Sequence, residues 1–223
     1  MSYTQPLNIT INNPVLADKA AQKIQKVLEN NIAWLEVSYG RARVGKQSKN
    51  ETDITYPECQ QTFGQDYINV FPNDNVLAQS YVLIQNDTVE QLGEGTNLVN
   101  WKADCAIVVF ISDLDKIDTS YGANIEQKLR EEIQNNLTTK ARGFDYSDGS
   151  FSDEIETAYA EFSVDSLDGK YFNDHKKYAY LRFDGTVTYK TDCFSLYPYD
   201  GTFTFDPLKD FDFIHGSPTF LTY

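Results

Sequence analysis

The stretch "WKADCAIVVFIS", residues 101–112, constrains this chain more than any other. Alternation puts Trp101, Ala103, Cys105, Ile107, Val109 and Ile111 on one face, and the second half of the stretch is apolar on the other face as well. A strand with no polar face belongs inside a sheet that is covered on both sides. The pattern therefore predicts a central strand with a helix on one side and a further layer or another subunit on the other.

Two amphipathic helices are legible. Ala17, Ala20, Ala21, Ile24, Val27 and Leu28 recur at helical spacing behind Asn13 and Pro14, which read as cap and first-turn proline. The alanines would let that helix lie close against a sheet. After residue 124, Ile125, Leu129, Ile133 and Leu137 form a narrow stripe, with Asn124 and Gln127 at capping-box spacing. Short strands are expected at 7–11, 67–71, 80–85 and 158–164, with the turn signal "PNDN" between the second and third. Residues 40–66 read as a long loop or hairpin arm, and 145–157 as an acidic loop.

"YLRFDGTVTY", residues 180–189, contains an Asp-Gly pair of the kind that closes tight hairpins. Parity argues against a turn here. A two-residue turn would send Thr188 and Lys190 to the same side as Leu181, whereas one continuous strand aligns Leu181, Phe183, Val187 and Tyr189. The expectation is a single strand with Gly185 at a bulge or close approach. The sum is an α+β fold: a mainly antiparallel or mixed sheet with both helices on one face, in a domain over 1–196. An aromatic extension follows at 197–223, either a closing strand and tail or an arm that docks on a neighbour.

Hydrophobic residues make up 41% of the chain, too much for disorder, and the formal net charge of -14 repels nucleic acid and anionic membrane on average. No apolar run approaches bilayer length and the first residues lack a signal core, so a soluble chain made in the cytoplasm is expected. Cys59, Cys105 and Cys193 are odd in number and far apart, which suits packing residues better than disulfides or zinc ligands.

Several motifs invite chemistry. "SYGRARVGKQ", residues 38–47, has the glycine and lysine spacing of a phosphate loop, but Gln47 stands where a hydroxyl should hold magnesium and Pro57 where a helix should run. What survives is a cluster of cations, Arg41, Arg43, Lys46 and Lys49, in a chain of opposite sign. In "VVFISDLDKID", Asp113 and Asp115 stand as nucleophile and acid–base would in a magnesium-dependent haloacid-dehalogenase-type phosphatase, although Ile117 departs from that motif. Ile117 also spoils a calcium loop. His175 and His215 lie near no recognisable nucleophile motif. The sequence asks for no cofactor, metal or catalytic residue.

The segments "LADKAAQKIQKVLENNIAWLEVSYGRAR", "QDYINVFPND", "IVVFISDLDKID" and "YLRFDGTVTY" resemble structural proteins of tailed phages and prophages of Bacteroides-type bacteria, within the tail-terminator or tail-completion group. The resemblance implies a non-enzymatic virion subunit forming a hexameric ring between tail tube and head connector or stopper, with DNA passing through its channel without specific binding. A head-closure, neck or tail-tube role is the nearest alternative. A closed ring joins unlike surfaces, and the cations at 41–49 suit the acid-rich segments at 145–156 and 206–212. Arg41, Arg43, Lys46 and Lys49, with Phe203, Phe205, Phe211 and Phe213, are the expected subunit-interface residues.

Overall fold

The structure is a computed structural model that describes residues 7–8, 16–49, 52–60, 67–91, 98–117, 125–141, 144–152, 159–162 and 178–192. Its centre is the strand that the sequence marks. Leu98–Ile111 (β6) lies between Ala78–Gln91 (β5) and Ala179–Asp192 (β8), antiparallel to both. Beyond β8 stands Phe144–Ser152 (β7); beyond β5 stand Val37–Lys49 (β2), Thr52–Gln60 (β3) and Tyr67–Asn69 (β4). The short strand Leu7–Asn8 (β1) pairs with the start of β2. The eight strands form one mixed sheet in the order β4-β3-β2-β5-β6-β8-β7, with β2 parallel to β5.

Both helices, Ala17–Asn31 (α1) and Ile125–Lys140 (α2), pack on one face of this sheet. Their buried stripes, Ala17, Ala20, Ala21, Ile24 and Leu28 on α1 and Leu129, Ile133 and Leu137 on α2, meet Ala103, Cys105, Ile107, Val109 and Ile111 of β6. Leu181, Phe183, Val187 and Tyr189 of β8 join them. The α+β class, the mixed sheet and the one-sided helix layer agree with the sequence reading. Each buried Leu or Ile of the stripes contributes roughly 1.5–3 kcal/mol of transfer free energy.

Small residues let α1 approach. Gln25 is buried, donates through Nε2 to the carbonyl of Ser38 at 2.6 Å, and lies so near Gly40 that a Cβ there would stand 3.1 Å from its Oε1. The Ser38 and Ser80 hydroxyls, 3.2 Å apart, continue this buried polar seam across β2 and β5. Trp34, buried after α1, donates its indole N–H to Glu132 of α2 at 2.9 Å and so ties the two helices.

The opposite face is covered by the chain itself. Residues 159–162 form a turn closed by Phe162 N–H on the Tyr159 carbonyl at 2.9 Å, and the rings of Tyr159 and Phe162 are buried on Tyr81, 5.7 and 6.5 Å away between centroids. Phe110 and Tyr180 extend this aromatic layer. The second cover that β6 demands is thus an aromatic turn.

Of the two readings of 40–66, long loop or hairpin arm, the described residues show the hairpin: β2 and β3 pair in register from Ala42↔Cys59 to Lys49↔Thr52. Three sequence expectations are corrected. Residues 145–152 are not loop but lie in β7, because pairing with β8 satisfies their backbone regardless of how polar the side chains are. Residues 159–162 are turn rather than strand, since a turn brings both rings, three apart, onto the same sheet face. Helix α1 starts at Ala17 behind Leu16, whose φ of 46° is a left-handed conformation costly for a leucine, and no side chain caps it there. Asn13, Pro14 and Asn124 lie outside the described residues.

Strand β8 is continuous through Asp184 and Gly185, as parity predicts. The irregularity falls on its neighbour, where β7 slips register between Tyr146 and Asp148, opposite Gly185 and Asp184.

Leu129→Ala is expected to lower stability by about 2–5 kcal/mol in urea unfolding, because a fully covered side chain leaves a cavity. Val89→Ala, at a site 56% exposed, is expected to change it by less than about 0.5 kcal/mol. Equal effects at the two positions would contradict the helix layer.

Candidate functional site

The cations singled out in the sequence lie on one strand. From Val37 to Lys49, β2 carries Arg41, Arg43, Lys46 and Lys49 and no carboxylate. Two irregularities shape what this strand does. Its parallel pairing with β5 slips between Ser38 and Arg41 and ends at Ala42↔Leu83. Immediately beyond, β5 carries a bulge between Gln85 and Thr88, with Asn86 at φ 52° and its side-chain amide on Asp104 at 3.0 Å. A bulge bends and twists its strand, so β5 turns away where β2 stops pairing.

The sheet consequently divides. On one side β2 and β3 continue as a two-stranded arm for seven residues beyond Ala42, about 23 Å at strand rise. On the other, β5, β6 and β8 continue together to Gln91↔Val99 and Leu98↔Asp192. Arg41 sits in the crotch. Its guanidinium donates to the carbonyl of Ile84 at 3.3 Å, a β5 group just past the last pair with β2, and to Asp18 of α1 at 3.4 Å. A side chain thus substitutes for the missing strand partner.

Arg43 is engaged within the chain too. It donates to Glu58 of β3 at 3.0 Å and lies 3.2 Å over the centroid of the Tyr67 ring. Lys46 is exposed, as is Val44 at 41%. Lys49 ends β2. Gly45 is required by the arm itself, since a Cβ would stand 2.5 Å from both the Tyr56 ring and the Glu58 side chain. The phosphate-loop spacing therefore reflects close packing at two glycines in an extended strand, with no helix following. Phe203, Phe205, Phe211, Phe213, Cys193, His175 and His215 lie outside the described residues.

The second feature is a groove of about 280 Å³ on the face away from the helices. Leu83 and Ala106 lie along it, with Gln85, Asp104, Asp184 and Thr186 as polar lining and Glu161 and Arg182 at the edge of the aromatic turn. Arg182 holds the turn down: both its terminal nitrogens donate to the Glu161 carboxylate, and Nε donates to Asp184 at 3.0 Å. The Glu161 hydrogen bonds raise the guanidinium's already high pKa against the desolvation that opposes them. With three carboxylates and one guanidinium the lining is net negative. Sequence reading missed this groove because 158–164 looked like a strand; the signal was Arg182, a charge in a strand whose neighbours Leu181 and Phe183 are core.

Asp113 caps the short 3-10 turn Leu114–Lys116, accepting from the Asp115 amide at 3.2 Å, and pairs with Lys116 at 3.5 Å. The strand before it is antiparallel to both neighbours, whereas the phosphatase motif needs a parallel sheet. Among the described residues no group of three histidine, cysteine or carboxylate side chains is placed to hold a metal ion. No helix among them is long and apolar enough to cross a membrane. In comparisons with known proteins, no family model matches the chain and no curated protein matches it.

Cys105 lies in the helix-side core and Cys59 in the core on the aromatic side, both buried. Burial pushes the Cys105 thiol from 9.0 up to about 12 and the Cys59 thiol higher still. Below the unfolded value both states keep the proton; above it the unfolded chain loses it while the folded chain retains it. Stability is therefore expected to fall from about pH 9 upward, by about 1.4 kcal/mol per pH unit for each thiol. In a Cys193→Ser background, iodoacetamide is expected to leave both thiols unmodified natively at neutral pH and to label them in urea. Rapid native labelling would contradict the packing.

Proposed function

We propose that this chain is a structural subunit of a tailed-phage virion, a tail terminator or completion protein. It forms a ring on the tail tube and offers the surface on which the head connector or stopper sits. The observation that carries this reading is the divided sheet. Past Ala42 the β2–β3 ribbon has no third strand beside it among the described residues except β4 at its base, on Glu58–Gln60. A two-stranded ribbon is at best marginally stable alone in water, so such an arm is suited to lie against another surface.

Further support comes from where the phage-like segments fall. "LADKAAQKIQKVLENNIAWLEVSYGRAR" spans α1 and the first half of β2, "QDYINVFPND" holds β4 and the turn toward β5, and "YLRFDGTVTY" is β8. These elements frame the arm and the crotch, and none brings a nucleophile together with a base. The balance of -14 also suits a channel that DNA traverses without adhering. The working location is the virion, assembled in the host cytoplasm.

Mass photometry and negative-stain imaging of the purified protein are expected to show closed rings, hexamers on the phage resemblance, and binding to the ends of tail tubes. A chain that stays monomeric at its highest soluble concentration and ignores tubes would overturn the reading. So would turnover of a phosphomonoester with magnesium that disappears in Asp113→Asn.

A further inference from the structure

We propose that the β2–β3 arm of one copy docks in the outer-face groove of the next, with Lys46 lying along the groove toward Asp104 and Asp184. This deepens the reading of the chain as a self-assembling subunit and rests on it. Three observations carry the pairing. The arm stops pairing with β5 at Ala42, and its exposed residues include the cations Arg43 and Lys46 and the apolar Val44. The groove has the matching charge: Leu83 and Ala106 form its floor, and the carboxylates of Asp104 and Asp184 stand at its lining to meet an ammonium. Of these carboxylates, Asp104 is exposed and Asp184 keeps a side-chain accessibility of 45%.

Arg41 and Arg43 are less suited to the role. Arg41 is held by Asp18 and the Ile84 carbonyl, and Arg43 by Glu58 and Tyr67. These contacts brace the arm from its base and engage both guanidiniums, whereas Lys46 is exposed farther along the arm. Nor is a chain's own groove the natural target of its own Lys46. The bulges carry the ribbon away from β5 before Lys46 is reached, while the groove lies over β5, β6 and β8 at the level of Leu83 and Gln85. Arm and groove are unlike surfaces on one chain. Joined head to tail they generate a closed ring or an open filament, according to the rotation.

The test is charge reversal in trans. Lys46→Glu is expected to leave thermal unfolding near that of the native chain and Asp104→Lys, which loses the Asn86 hydrogen bond, to lower it slightly, while each weakens self-association at least about tenfold. Mixing the two variants restores opposite charges at every junction, so the mixture is expected to assemble where neither variant does. Raising salt should weaken native assembly. Rings that form equally well in both single variants would overturn the docking and leave the ring reading standing. Two variants that fail alone and also fail when mixed would overturn the pairing of Lys46 with Asp104. A native chain that never self-associates would overturn both readings.

Discussion

Strand β6 has no polar side from Cys105 to Ile111, and the lower half of the molecule is arranged to cover it. Two helices meet one face and an aromatic turn meets the other, each anchored by a polar contact where apolar packing ends. On the helix side the anchor is Gln25 on the Ser38 carbonyl, with Trp34 on Glu132. On the other it is Arg182 on Glu161, which fixes the four-residue turn closed by Phe162 N–H on the Tyr159 carbonyl. Because a buried polar group without a partner costs more than a made hydrogen bond gains, these anchors define orientation as much as stability.

On the outer face of the sheet coverage thins beyond one level, whereas on the helix side it continues to Val187 and Tyr189. At the row of Ala42, Leu83 and Ala106 the side chains are buried; a few residues on, Val44 is exposed. The change coincides with the slip in β2 and the bulge in β5, where the parallel pairing of β2 with β5 ends. Arg41 repairs the junction by bonding the orphaned Ile84 carbonyl, so the division is stabilised by a specific side chain. The result is a rigid base carrying two ribbons, an arrangement in which the part best packed is not the part best placed to meet partners. The proposed assembly role uses this asymmetry: the base holds the arm's direction, and the arm presents charge away from the acidic body.

Some of this was legible in the sequence because side-chain pattern and burial coincide. The double-sided apolar run named β6, the stripes of α1 and α2 named the helix layer, and the parity of Leu181, Phe183, Val187 and Tyr189 kept β8 continuous through an Asp-Gly pair. The arm was only half legible. Its residues from Arg41 to Asp53 are polar and rich in turn formers, so neither period marks them, yet backbone pairing makes them strands. For the same reason β7 read as loop. Tyr159 and Phe162 were read as alternating strand residues, although their spacing of three also fits a turn over a sheet face.

Local pattern alone therefore determined the two helix stripes among the described residues, the α+β class and the overall negative field, since each follows from side-chain chemistry summed along the chain. Tertiary structure decided where the sheet divides, that Arg41 and Arg43 brace an arm, and that Arg182 borders a groove with Asp104 and Asp184. Those outcomes depend on strand order and register, which bring together residues up to about a hundred and forty positions apart, such as Arg41 of β2 and Arg182 of β8, in one sheet. Periodicity reports the surroundings of one strand and carries no record of which strand lies beside it.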